Sequence, residues 1–83
     1  MVTNNGHLKT VNLIQAQFFI VHNVKFVGME RVNPQQWAFV FETPSDEIIA
    51  KWNSGNDQVS IRAAMDAREY LLDRLTEARR NER

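Results

Sequence analysis

The chain has 83 residues, no Cys and a formal net charge of zero, because ten Lys and Arg are balanced by ten Asp and Glu. A chain of this length forms one domain with a small core, and it has no disulfide to stabilise it. The balanced charge excludes a global field that would attract nucleic acid or an anionic membrane surface. The absence of Cys favours a reducing compartment, and apolar runs such as residues 18–21 are far too short to span a bilayer, so we expect a cytoplasmic protein.

The first segment with clear periodicity begins near residue 10. Residues 1–9 show no apolar pattern, which predicts a flexible leader. Thr10 is a suitable cap for a helix over residues 11–22, in which polar residues are scarce. An apolar arc this wide predicts either a helix at the centre of the core or a helix with one side covered by another chain. Asn23 suits the left-handed conformation that often ends a helix.

A β-hairpin is predicted next. Residues 24–32 have the composition of a strand, with Phe26 on one face and Val27 and Met29 on the other. The Asn-Pro pair that follows predicts a turn. The returning strand, residues 37–42, carries an aromatic row that we expect to face the helices: Trp37, Phe39 and Phe41.

Two helices complete the predicted domain. Thr43 is the expected cap of a short helix over residues 44–52, because Pro follows it at the first helical position. A longer helix is predicted over residues 60–78, with apolar side chains at helical spacing that include Ile61, Met65 and Leu71. Residues 79–83 form a basic tail that we expect to fray. The elements together predict a single α+β domain over residues 10–78, in the order helix, hairpin, short helix, long helix (αββαα).

The sequence carries no spacing typical of a catalytic, metal or cofactor site. His7 and His22 lie far apart and lack the neighbouring ligands that zinc requires. Asp46 and Glu47 are the closest carboxylate pair, but negative charge at this position stabilises a helix start. The glycines are isolated, so no phosphate-binding loop is predicted. We therefore expect a non-enzymatic protein without a cofactor.

Surplus apolar surface favours a protein-protein contact as the function. The first helix and the region around Trp52 offer more apolar side chains than one small core requires. The candidate interface residues are Gln15, Phe19 and Trp52, and the partner is either another protein or a second copy that completes a homodimer.

Nucleic-acid binding is the alternative interpretation. The last helix and its tail carry a series of arginines, namely Arg62, Arg68, Arg74, Arg79 and Arg80. Acidic residues alternate with them, and a neutralised series of this kind is more typical of a solvated helix face than of a phosphate-binding surface. Clustering of these arginines away from acids in the fold would favour this alternative.

Several short motifs follow one another along residues 10–78. They are the helix start Thr10-Val11-Asn12-Leu13 with Phe18, the strand pair Val27-Gly28, the segment Phe39-Val40-Phe41-Glu42, the grouping Trp52-Asn53-Ser54-Gly55, and Val59 before a long final helix. Their order resembles a family of small domains of unknown function from bacteria and their phages. The resemblance implies an accessory role in a bacterium or mobile element, with no catalytic residue to carry over.

Overall fold

The fold is a four-stranded antiparallel sheet covered on one face by three helices. The computed structural model describes residues 3–4, 6–55 and 58–81. Within them the sheet order is β1-β2-β4-β3, so β3 forms one edge. This architecture confirms the predicted α+β class. The elements in chain order are β1 (Thr3–Asn4), β2 (His7–Thr10), α1 (Leu13–Val21), β3 (Phe26–Asn33), β4 (Gln36–Glu42), α2 (Asp46–Ser54) and α3 (Ile61–Arg80).

The strand β2 corrects the expectation of a flexible leader over residues 1–9. It pairs with the central strand β4, with Leu8 opposite Phe41 and Thr10 opposite Phe39. Leu8 is only 1% exposed and belongs to the hydrophobic core. The packed domain therefore begins before residue 10. The rest of the expected leader falls partly on residues 1, 2 and 5, which lie outside the described residues.

The boundaries of α1 follow from two asparagines. Asn12, rather than the expected Thr10, caps the helix, since its side chain accepts hydrogen bonds from the backbone N–H groups of Ile14 and Gln15. Thr10 instead lies in β2, and its Oγ1 accepts from the backbone N–H of Asn12 at 3.1 Å. Asn23 follows the helix with φ 62°, which confirms the expected left-handed residue.

A β-bulge changes the side-chain alternation expected for β3. The register shifts between Phe26 and Gly28, so that Phe26 pairs with Phe41 and Met29 with Phe39. Phe26 and Met29 therefore share the helix-facing side of the sheet, although strict alternation had placed them on opposite sides. The aromatic row of β4 faces the helices as expected, with Phe39 and Phe41 buried and Trp37 partly buried.

The opposite face of the sheet is covered by an ion pair that crosses β4. Lys9 lies opposite Val40 and Glu30 lies opposite Ala38, and Lys9 Nζ is 2.9 Å from Glu30 Oε2. Ala38 and Val40 are buried although, in the described part of the chain, no helix packs on this face. The long stems of Lys9 and Glu30 explain that burial.

The two remaining helices begin at serine caps. Ser45, not the expected Thr43, accepts from the backbone N–H of Ile48 at the start of α2, and Gly55 ends that helix with φ 71°. Ser60 accepts from the backbone N–H of Ala63 at the start of α3. The helix α3 includes Arg79 and Arg80, which the sequence had assigned to a frayed tail, and residues 82–83 lie outside the described part of the chain.

The core lies between α1 and the sheet. Phe19 makes an edge-to-face contact with Phe41 at 5.3 Å between ring centroids, and Phe26 contacts the same ring at 5.4 Å. Leu71 of α3 is fully buried in this cluster. Of the two expectations for the apolar first helix, the structure therefore supports a position at the centre of the core.

Candidate functional site

Two of the expected interface residues are buried within the monomer. Phe19 is 0% exposed and Gln15 is 9% exposed, because both lie on the side of α1 that faces the sheet. This burial corrects their assignment to an interface. Trp52 is partly buried, with its ring 5.4 Å from that of Phe18, so it closes one end of the core. Another chain would have to use different side chains of the first helix.

The structure does not gather the arginines of α3 on one face. Helical geometry turns about 100° per residue, which places Arg62 and Arg80 on the face that also carries Asp66 and Asp73. Arg68 and Arg79 lie on another side, and Arg74 turns towards the sheet, where Arg74 Nη2 is 3.3 Å from Glu77 Oε1. This distribution resembles a solvated helix and argues against the nucleic-acid alternative.

Neither histidine belongs to a metal or catalytic cluster. Within the described residues, no group of three or more His, Asp or Glu side chains is close enough to bind a metal ion. His22 packs on the ring of Phe18 at 4.3 Å, and its buried Nε2 has no hydrogen-bond partner in the described part of the chain. His7 lies in β2 opposite Glu42.

Two large apolar side chains at the start of α3 are strongly exposed. Ile61 is 78% exposed and Met65 is 62% exposed, although the sequence had placed both in the inward-facing pattern. Arg68 is exposed and Leu72 is partly exposed on the same side of the helix. Spacings of four, three and four residues align these side chains, as in the seam of a coiled coil. We call Ile61, Met65, Arg68 and Leu72 the outer stripe of α3.

The sequence of α3 contains a second pattern that explains this misassignment. Ala67 and Leu71 are buried, and Ala64 and Ala78 are partly buried on the same side of the helix. Small alanines let α3 approach α1 closely, and Gln17 Nε2 donates to the backbone oxygen of Ala64 at 2.9 Å. The inward face therefore uses the smaller side chains. The helix α3 has more apolar residues than one helical face can hold, and this surplus was the signal in the sequence for a second apolar stripe.

A small apolar cleft lies beside the start of α3. It has a volume of about 160 Å³ between α1 and the segment that leads into α3. Ile14, which is 66% exposed, forms one wall, and Val59 and Ala64 form the other. Exposed apolar surface at this end of the molecule thus includes part of the first helix, but through Ile14 instead of Phe19.

An open groove, which we call the β3–α3 groove, lies between β3 and the C-terminal half of α3. Its volume is about 570 Å³. Phe26, Met29 and Trp37 line it from the sheet, and Tyr70, Arg74, Glu77, Ala78 and Asn81 line it from the helix. Spacing along the sequence could not reveal this groove, because its two walls come from segments that are far apart in the chain.

The helix wall of the groove is an ordered array of side chains. Tyr70 contacts Phe26 edge to face at 5.7 Å between ring centroids. The guanidinium of Arg74 lies 5.6 Å from the Tyr70 ring centroid, which is within the range of a cation-π contact. Arg74 Nε is buried and has no acceptor among the described residues. An unmet buried donor of this kind costs about 1–3 kcal/mol.

The groove continues towards the tip of the hairpin. Trp37 is shared with a second cavity of about 360 Å³, which is also lined by Arg31, Pro34, Gln35 and Arg79. Arg31 donates through Nη2 to the backbone oxygen of Pro34 at 3.2 Å, so its guanidinium is held near the turn. The combined surface has an aromatic floor and arginines at both walls.

Comparisons with known proteins found no match to this chain. No family model matches the sequence, and no curated protein or solved structure matches it. The resemblance to a bacterial and phage family of unknown function therefore stays a prediction. Among the described residues, no helix combines the length and apolar character needed to cross a membrane.

Proposed function

We propose that this protein is a non-enzymatic interaction module that pairs with a second copy of itself through the outer stripe of α3. The observation that supports the proposal most strongly is the exposure of Ile61 and Met65, two large apolar side chains one helical turn apart. Removing such side chains from water stabilises an assembly by about 25 cal/mol for each Å² of apolar surface buried. A small domain gains from this burial because its own core is limited.

The order of side chains along the outer stripe fits an antiparallel pair of helices. If two copies of α3 cross on a two-fold axis between Arg68 and Glu69, each Met65 faces the partner's Leu72. Arg68 then faces the partner's Glu69, and the same ion pair forms a second time by symmetry. Ion pairs beside an apolar seam set the orientation of paired helices.

Light scattering across a dilution series tests this proposal. We expect a reversible monomer–dimer equilibrium that Met65→Glu shifts to the monomer, because a buried unpaired carboxylate is costly. The matched control is Val32→Glu, which also replaces an exposed apolar residue but lies at the hairpin end of the sheet. Circular dichroism of both variants establishes that the fold is intact. A wild-type chain that stays monomeric at every concentration would overturn the proposal.

Charge reversal tests the two-fold arrangement separately. Arg68→Glu alone and Glu69→Arg alone each place like charges together across the axis, so each should weaken the dimer. The double variant restores opposite charges at both symmetric positions, and we expect it to recover most of the wild-type association. A double variant as weak as the single ones would contradict the proposed register while leaving association through Met65 intact.

A further inference from the structure

We propose that Met65 is a site of reversible oxidation, at which a peroxide converts the thioether to a sulfoxide and thereby separates the two copies of the protein. This inference rests on the proposed function, because it concerns the regulation of the outer stripe that holds the two copies together. Met65 lies in that stripe between Ile61 and Arg68, and its side chain is 62% exposed in the single chain. An oxidant in solution therefore has access to it whenever the dimer is open.

The composition of the chain directs sulfur chemistry to the methionines. The sequence has three Met and no Cys, so no thiol competes for the oxidant. Met29 is partly buried and packs against the hydrophobic core, and Met1 lies outside the described residues. Of the methionines that the structure describes, Met65 is thus the exposed one, and we expect it to react before Met29.

The reaction with hydrogen peroxide needs no further reactant. A lone pair of the Met65 sulfur attacks one peroxide oxygen, so that an S–O bond forms and the O–O bond breaks. The departing hydroxide removes the proton from the oxygen that is now on sulfur. The products are the sulfoxide and water, with the sulfur oxidised by two electrons and the peroxide reduced by the same two.

A sulfoxide at position 65 opposes association. Its oxygen is a polar hydrogen-bond acceptor, whereas the thioether is a flexible apolar side chain that packs well. In the proposed two-fold arrangement each Met65 faces the partner's Leu72, which has no donor to offer. Arg68, one turn along the stripe, would donate to the oxygen only by leaving the partner's Glu69. In both cases the dimer loses a contact, and symmetry repeats the loss at the second Met65.

Association should in turn protect Met65 from oxidation. A dimer that buries this side chain keeps its sulfur away from solvent, so the reaction proceeds through the monomer. Raising the protein concentration should therefore slow the oxidation of Met65. The oxidation of Met29 should not depend on concentration, because Met29 lines the β3–α3 groove and not the outer stripe.

Hydrogen peroxide treatment of the full chain tests the inference. Peptide mass spectrometry locates each added oxygen, and light scattering across a dilution series measures the dissociation constant before and after treatment. We expect Met65 to oxidise faster than Met29, and the dissociation constant to rise at least about tenfold because an unpaired polar group is buried at two symmetric positions. Circular dichroism should stay unchanged, since Met65 is exposed in the monomer. A methionine sulfoxide reductase should then restore the original dissociation constant.

Three variants of the methionines provide controls. Met65→Leu keeps a similar apolar volume without sulfur, so it should still dimerise, and peroxide should not change its dissociation constant. Met65→Gln carries a permanent polar group and should dimerise, without any treatment, as weakly as the oxidised wild-type chain. Met29→Leu removes the other described Met and should keep the full wild-type response to peroxide.

The untreated wild-type chain separates this inference from the proposed function. A chain that is monomeric before treatment would overturn both. A chain that dimerises, and keeps its dissociation constant when mass spectrometry shows Met65 fully oxidised, would overturn the inference alone. Loss of the dimer in peroxide-treated Met65→Leu would also overturn it, because another residue would then be responsible. A rate of Met65 oxidation that is independent of protein concentration would do the same, because the dimer would then leave the sulfur exposed.

Discussion

At the scale of single residues, Phe41 of β4 packs against two other aromatic rings of the core. It is fully buried, and its ring contacts Phe19 and Phe26 edge to face. We expect Phe41→Ala to lower the free energy of unfolding by about 3–5 kcal/mol, because the substitution leaves a cavity in a core that cannot collapse around it. A domain of this size has about 5–15 kcal/mol in total, so the variant should be marginally folded.

Urea denaturation followed by circular dichroism measures this loss. The matched control is Val32→Ala, which truncates an exposed residue of the same sheet and should change the free energy of unfolding by less than about 1 kcal/mol. Similar losses for both variants would mean that Phe41 is not the packing centre described here.

Asn12 offers a second test at this scale, because its side-chain oxygen satisfies two backbone N–H groups of α1. It accepts from Ile14 at 2.9 Å and from Gln15 at 3.2 Å. Asn12→Ala should lower the free energy of unfolding by about 1 kcal/mol, whereas Asn12→Ser keeps an acceptor and should lose much less. Urea denaturation midpoints of the two variants measure this difference. Equal midpoints would contradict the role of Asn12 as the cap of α1.

At the scale of elements, β2 joins the core through the buried side chain of Leu8. Leu8 is buried opposite Phe41, so Leu8→Ala should lower the free energy of unfolding by about 2–5 kcal/mol. Lys25→Ala, the control, removes only an exposed ion pair with Glu42 and should cost at most about 1 kcal/mol. Urea midpoints compare the two. A chain indifferent to Leu8→Ala would restore the earlier expectation of a flexible leader.

The sequence predicted elements well where their signals are local. The pattern of α3 extends over many turns, and the residues Asn23 and Gly55 mark helix ends by their own conformational preferences. In contrast, β2 has four residues with a single buried apolar side chain, and it becomes a strand through pairing with β4. The bulge near Val27 likewise depends on the partner strand.

The candidate surfaces were harder to predict than the elements. Composition correctly indicated surplus apolar surface, but helical periodicity alone could not decide whether Met65 or Ala67 faces inward. Close packing against α1 favours an inward orientation of the side of α3 that carries Ala67. The β3–α3 groove depends on the distance between a hairpin and a helix that meet only in the folded chain, so no spacing encodes it.

At the scale of the whole molecule, the helix α3 separates the outer stripe from the β3–α3 groove. Its inward face packs on α1, its outer stripe faces away from the core, and Tyr70 and Arg74 line the groove beside β3. A dimer formed through the outer stripe therefore leaves one groove available in each copy.

Self-association also changes how the whole protein responds to heat. Because the dimer contains only folded chains, raising the protein concentration favours the folded state, and the Tm should rise. Each tenfold increase contributes about 1.4 kcal/mol per dimer, or half that per chain, which corresponds to about 3–5 °C for a domain of this size. Reversible calorimetric scans over a hundredfold concentration range would measure this slope.

Met65→Glu provides the decisive comparison for the thermal experiment. Its Tm should be independent of concentration, and it should coincide with that of the wild-type chain at high dilution, because Met65 is 62% exposed in the monomer and contributes little to the monomer core. Val32→Glu, in contrast, should keep the wild-type slope. If Met65→Glu lowered the Tm equally at all concentrations, Met65 would stabilise the monomer itself, and the outer stripe would be part of the fold instead of an interface.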